Sequence, residues 1–211
     1  MTYALYYSPS TAAMAPHMLL RELGVEFELR RVDTQKGEHR NEAYTKLNPN
    51  GLIPAFEHDG MILWEAAAIC TYLCDLHPEA GFAPDVGTKQ RGEFYKWMIW
   101  LTNTVQPDLI GWFYPDRYVP AENAEQYKMT MLDRLMPRYA ILDERLRDRD
   151  WLVGDRITAV DLYAFMLSRW TRNMPRRARD LPNLRRLLDR VMARPATQKV
   201  YEIEGIAEPF F

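Results

Sequence analysis

The 211-residue sequence predicts a small α/β domain followed by an all-α bundle, and three observations carry that expectation. Residues 1–80 alternate short strand-like and helix-like segments in the order β-α-β-α-β-β-α, whereas the sequence beyond residue 88 reads with helical periodicity and has no convincing strand. Charge divides the same way, with 6 basic and 12 acidic side chains in residues 1–87 against 21 and 17 in residues 88–211. Between them His77 to Gly87 holds Pro78, Pro84, Gly81 and Gly87, which interrupt periodicity as a connection between domains does. We therefore expect an α/β domain over residues 1–80, a linker over 81–88 and a helical domain over 89–211.

Each element has its own signal. Thr2 to Tyr7 is tyrosine-rich and reads as a buried strand; a Ser-Pro-Ser-Thr turn then leads into an apolar helical run from Ala13 to Leu23, closed by Gly24. Phe27 to Val32 alternates as a second strand, Asn41 to Leu47 is a short helix, and Asn48-Pro49-Asn50-Gly51 is a turn. Pro54 to Glu57 and Met61 to Leu63 flank the turn His58-Asp59-Gly60 as a hairpin, and Glu65 to Leu76 closes the domain as a helix. A strand, a crossover helix and a second strand imply a parallel pair, to which the hairpin adds antiparallel strands. In the second half, helical patterns run over Lys89–Trp112, Ala121–Arg147, Ala159–Thr171 and Asn183–Met192, with a short segment near Ala196–Glu204. Thr158 and Asp161 form a capping-box variant at the start of the third of these.

Composition excludes several classes of protein. A net charge of −2 gives no general electrostatic case for nucleic acid or an anionic membrane. The longest apolar run, Leu162 to Leu167, is far short of the roughly 18 residues a membrane span needs, and mean hydropathy is −0.39. The start Met1-Thr2-Tyr3-Ala4-Leu5 lacks a basic leader and an apolar stretch, so the expected location is the cytoplasm. Cys70 and Cys74 lie four apart on one helix face, without CxxC spacing or a histidine pair, and read as packing residues. No metal site is expected.

Local motifs now add a resemblance that covers the whole chain. Tyr6-Tyr7-Ser8-Pro9, Ala15-Pro16-His17 and Leu20-Arg21-Glu22-Leu23-Gly24 resemble the first strand and helix of the bacterial beta-like cytosolic glutathione transferases. Asn48-Pro49-Asn50-Gly51-Leu52-Ile53-Pro54-Ala55 resembles that family's Asn-Pro-x-Gly-x-Val-Pro-Ala loop, and Leu63 to Ile69 resembles its Glu-(Ser/Gly)-x-Ala-Ile helix start. The resemblance implies a thioredoxin-like first domain that binds glutathione as co-substrate, a helical second domain that carries the hydrophobic substrate site, and a homodimer. The implied reaction joins the glutathione thiolate to a small, mainly apolar electrophile. The alternatives are a non-catalytic glutathione-, ligand- or protein-binding member of the fold, or a glutathione-dependent isomerase or peroxidase.

The residues themselves suit such a ligand, which has two carboxylates, an ammonium, a thiol and a peptide backbone. A cis bond between Ile53 and Pro54 would turn the amide and carbonyl of Ile53 outward to pair with an extended peptide, with Leu52 and Pro54 beside it. Glu65 and the amides of Glu65 and Ala66 lie at a helix start, where a carboxylate ligand is favoured. Lys36, after the second strand, matches the family's basic contact, and Gln106 falls where the family places a histidine. Thiolate stabilisation needs a donor. The beta-like cysteine position is Ala12 here, so the expected groups are the hydroxyls of Ser10 or Thr11, with Ser8, Tyr6 and Tyr7 behind them. The electrophile is expected against Trp112, Phe113, Tyr114 and Trp170, between the domains.

Overall fold

The computed structural model describes residues 2–211, and its contacts divide them into two units. The first runs to Ala83 and takes in Ala193–Ala207; the second holds Pro84–Met192 and Glu208–Phe211.

In the first unit β1 (Tyr3–Tyr7), α1 (Met14–Leu23), β2 (Glu28–Arg31), α2 (Glu42–Thr45), β3 (Ala55–His58), β4 (Met61–Trp64) and α3 (Ala66–Leu76) follow the expected order. The sheet order is β2-β1-β3-β4, with β1 parallel to β2 and antiparallel to β3, and β3 and β4 paired as a hairpin. This is the thioredoxin-like βαβαββα arrangement. Asp59 and Gly60, both with positive φ, form the hairpin turn, as an Asp-Gly pair does when strand twist calls for a primed turn.

Two apolar layers hold the sheet. Leu5 and its cross-strand partner Phe56 are fully buried, as are Met14, Met18 and Leu19 of α1 and Ile69 and Leu73 of α3. Side chains alternate across a strand, so Tyr6 and Ala55 face the other way, into a cluster with Val32, Tyr44, Leu47 and Ile53. The register fixes the site: Tyr7 pairs with Arg31, Tyr6 with Ala55 and Ala55 with Trp64. The chain segments after β1, after β2, after β4 and before β3 therefore all leave the sheet at one end.

The second unit is helical: α4 (Lys89–Trp100), α5 (Gln106–Phe113), α6 (Ala124–Arg145), α7 (Ala159–Trp170) and α8 (Pro182–Met192). Every residue of α7 is buried, which makes it the central helix of this unit. Lys89–Trp112 was expected as one helix, but a π-helical turn over Leu101–Val105 separates α4 from α5. The cause is Pro107: it lacks an amide, and its ring would collide with the carbonyl four residues back, so the ladder widens upstream of it. Arg138 secures the widened turn by donating to the Thr104 carbonyl, while also pairing with the buried Asp108.

The last helix, α9 (Pro195–Glu204), belongs with the first unit rather than with the 89–211 domain of the sequence reading. It packs on α1 through Arg194 to Glu22 (2.7 Å), the Thr197 hydroxyl to the Met18 sulfur (3.6 Å), and Glu204 to His17 (2.9 Å). Those partners are fixed by tertiary packing and leave no trace in local periodicity.

Candidate functional site

The loop after β1 is held from α9. Ser10 has φ +62°, a left-handed conformation that a non-glycine residue adopts at a cost of about 1–2 kcal/mol. Its amide donates to Glu204 Oε2 at 2.9 Å, and Glu204 Oε1 pairs with Nδ1 of the fully buried His17, also at 2.9 Å. The Ser10 hydroxyl is half-buried and has no hydrogen-bond partner within the chain. Thr11 differs: its hydroxyl donates to the Ser8 carbonyl at 2.7 Å and accepts from the Ala13 amide at 3.3 Å. A threonine has one O–H to give, so donating to a thiol would break the loop's own bond. Of the two expected hydroxyls, only that of Ser10 is uncommitted.

The turn before β3 is built around Asn48, which is 3% exposed. Its side-chain amide donates to the Leu52 carbonyl (2.7 Å), which also accepts from the Tyr44 hydroxyl (2.7 Å), and its Oδ1 accepts from Asn50. Gly51, at φ +61°, passes so close to the His39 carbonyl that a Cβ would lie 3.1 Å from it. With Leu52 used up in this way, the neighbouring Ile53 keeps an amide and a carbonyl that bond to nothing in the chain. The Ile53–Pro54 bond is cis, Pro54 is buried, and the Leu52 side chain is exposed.

Glu65, between β4 and α3, has φ +73° and ψ +109°, and its exposed carboxylate has no ionic partner. It precedes the first turn of α3, where the amides from Ala66 onward lack side-chain caps and the helix dipole favours an anion. Among the described residues three non-glycine residues have positive φ; Asp59 is explained by its hairpin, and the other two are Ser10 and Glu65. Lys36 leaves the same sheet end after β2, largely exposed, 3.5 Å from Asp33.

The remaining expected residues lie in the second unit. Gln106 opens α5 and its Oε1 accepts from the Tyr163 hydroxyl at 2.6 Å. Phe113, 45% exposed, meets Trp170 edge to face with ring centroids 6.4 Å apart. Tyr114 is exposed under the Arg117 guanidinium, 4.0 Å from its ring centre, and Trp112 is half-buried on α5. Thus Phe113 and Trp170 come together, while Tyr114 turns to Arg117. Sequence reasoning missed Glu204, His17 and Tyr163, because a glutamate in a last helical turn and aromatics on an apolar helix look like ordinary surface and core.

Known proteins resemble this chain along most of its length. Residues 1–75 match the glutathione S-transferase N-terminal domain and residues 105–195 the C-terminal domain. The glutathione S-transferase GstA of Escherichia coli O157:H7 is 30% identical over 204 residues, 96% of this chain and 98% of its own. Among solved structures, a glutathione transferase of Methylococcus capsulatus shares 31% identity at a TM-score of 0.85, covering 97% of this chain and all of that one. A sphingomonad glutathione S-transferase complexed with glutathione shares 27% at 0.86, with the same coverage. The chain belongs to the glutathione S-transferase family and is a glutathione transferase. Among the described residues no helix is long and apolar enough to cross a membrane, and no cluster of His, Cys, Asp or Glu could hold a metal ion.

Proposed function

We propose that glutathione binds at the sheet end where β1, β2 and β4 finish, and that Ser10 donates a hydrogen bond to its sulfur. The observation that carries this reading is backbone strain at Ser10 and Glu65, two residues whose conformations cost stability and which flank one end of one sheet. Ile53 would pair with the ligand's peptide unit as an added strand. Glu65 would take the ammonium, the first amides of α3 at Ala66 a carboxylate, and Lys36 the other carboxylate. Leu52 and Pro54 would border the peptide. The reaction is addition of the glutathione sulfur to a small, mainly apolar electrophile, held on the second unit by Phe113 and Trp170 with Trp112 and Tyr114 nearby.

A hydroxyl suffices for this task. A free thiol ionises near pH 8.5, and each unit by which a site lowers that value is about 1.4 kcal/mol. One hydrogen bond to an anion is of that order. The absence of the beta-type cysteine at Ala12 then makes the chain a serine-assisted variant rather than one that forms mixed disulfides. We take it to act as a cytoplasmic homodimer, as the family resemblance implies. Calorimetric titration with reduced glutathione tests the site: saturable binding that Glu65→Ala weakens at least tenfold supports it, whereas equal affinity in the two proteins would remove Glu65 from it.

A further inference from the structure

The segment after α9 is fastened chiefly at one residue. Ala207, Glu208 and Pro209 are exposed and make no hydrogen bond or ion pair among the described residues, whereas Phe211 is 8% exposed. Glu208–Phe211 belong with the second unit, and three parts of that unit build the place that Phe211 fills. Phe165 of α7, fully buried, meets the Phe211 ring with centroids 5.8 Å apart. The Arg185 guanidinium of α8 lies 5.2 Å from the ring centre. Arg179, in the short turn of helix before α8, donates from Nη1 to the main-chain oxygen of Phe211.

The receiving side of this socket is held by its own bonds. Phe165 is part of the wholly buried α7, and Arg185 is fixed by Asp189, whose two oxygens accept from its Nε at 3.0 and 3.1 Å and leave the guanidinium face to the ring. Beside Arg179, the Ala178 amide donates to the buried Thr171 hydroxyl at 2.9 Å. Arg179 itself differs from its neighbours. Arg176, Arg177 and Arg185 pair with Asp133, Asp180 and Asp189, but no side-chain carboxylate among the described residues pairs with Arg179, although it is half-buried. The socket therefore offers a seat for an aromatic ring, a cation over its face, and a second cation aimed at an oxygen. On the other side, ordering the bare segment from Ala207 costs conformational entropy that one ring and one hydrogen bond must offset.

We infer that this socket is a binding site for 3-arylpropanoates, small acids whose carboxylate stands two carbons from an aromatic ring, and that Phe211 is its exchangeable occupant. Phe211 shows the fit, since its own ring and main-chain carbonyl are separated by Cβ and Cα. A free acid reproduces the ring between Phe165 and Arg185 and offers Arg179 a carboxylate at the position of the Phe211 oxygen. A guanidinium can take both carboxylate oxygens in parallel, the strongest pairing open to it. The acid also orders no stretch of chain. Acid and Phe211 exclude each other, so binding releases Glu208–Phe211 from the second unit.

Phe211→Ala empties the socket and keeps every residue that lines it. In calorimetric titration, 3-phenylpropanoate should bind this variant about tenfold or more tightly than it binds the wild-type chain, because no occupant has to leave. Adding Arg179→Ala should cost about tenfold or more, and so should replacing the probe with 3-phenylpropan-1-ol, which keeps the ring without the carboxylate. A second readout leaves the socket's lining and its occupant in place: in a chain carrying a 4-fluorophenyl ring at position 211, saturating 3-phenylpropanoate should move the fluorine resonance to the position it has in urea-unfolded protein. Equal affinity in wild type and Phe211→Ala, indifference to Arg179, or a fluorine resonance that stays in place while the acid binds would overturn the site. Absence of saturable binding to Phe211→Ala at millimolar acid would overturn it as well. Displacement of the fluorinated ring by an acetyl-Glu-Pro-Phe-Phe peptide but not by the acid would replace the small-molecule assignment with exchange of tails between copies of the chain.

Discussion

Ser10 and Thr11 are adjacent hydroxyls with opposite prospects, and the difference is one hydrogen bond. Thr11 spends its proton on the Ser8 carbonyl, whereas Ser10 is held by its backbone amide and keeps its side chain free. Ser10→Ala should therefore lower turnover by one to two orders of magnitude, the worth of about 1.4–3 kcal/mol, and raise the pKa of bound glutathione followed by thiolate absorbance. Its effect on glutathione affinity should stay within a few-fold. A turnover loss confined to Thr11→Ala would transfer the role to Thr11. Glu204 is the residue on which this arrangement depends. Removing it leaves the part-buried Ser10 amide and the fully buried His17 ring without their acceptor, so Glu204→Ala should cost about 3 kcal/mol in urea denaturation as well as slowing the enzyme. An unchanged urea midpoint would refute the clamp.

Single elements were legible in the sequence wherever the signal is local. The Asn48 turn, the Asp59-Gly60 hairpin and the Thr158–Asp161 cap announce themselves because their partners lie within a few residues. What escaped reading depends on distance or on phase: Glu204 reaches Ser10 across 194 positions, and Pro107 alters the helix upstream of itself. The arginine-rich stretch from Arg169 to Arg194 is partly neutralised by ion pairs: Arg176, Arg177, Arg185, Arg190 and Arg194 pair with Asp133, Asp180, Asp189, Asp150 and Glu22. At the start of α7, Asp161 Oδ2 accepts from the amide and hydroxyl of Thr158 at 2.8 and 2.9 Å, and Oδ1 accepts from the Leu152 amide at 2.9 Å. Burial outweighs those bonds and raises its pKa to about 6. A carboxyl raised in the folded state holds its proton there while the unfolded chain, at about 4, has lost it. Its contribution to stability is thus complete below about pH 4 and is lost as pH rises through 6. Asp161→Asn should accordingly be more destabilising at pH 4 than at pH 7, by up to about 3 kcal/mol. Urea curves at the two pH values check this, and the opposite sign would mean that the three donors outweigh burial.

For the molecule as a whole, the division into units does not follow the order of the chain. The family resemblance could be read from motifs in the first 70 residues, and the helical character of the rest from periodicity, but the return of α9 to the first unit could not. Nothing in an amphipathic ten-residue helix states which neighbour it will cover. Its ties to α1, through Arg194, Thr197 and Glu204, are made by side chains whose partners lie more than 170 positions away.

That return sets the order in which a nascent chain can become active. Some 110 residues separate the end of the first unit's main segment from Ala193, and at about 5–20 residues per second a ribosome needs roughly 5–20 s to traverse them. Throughout that interval the β1–α1 loop is already synthesised but lacks the carboxylate that seats Ser10. A polypeptide interrupted between Ala83 and Glu204 would carry all four strands of the first unit and still lack the anchored serine, so an anchored Ser10 certifies that translation has reached the end of α9.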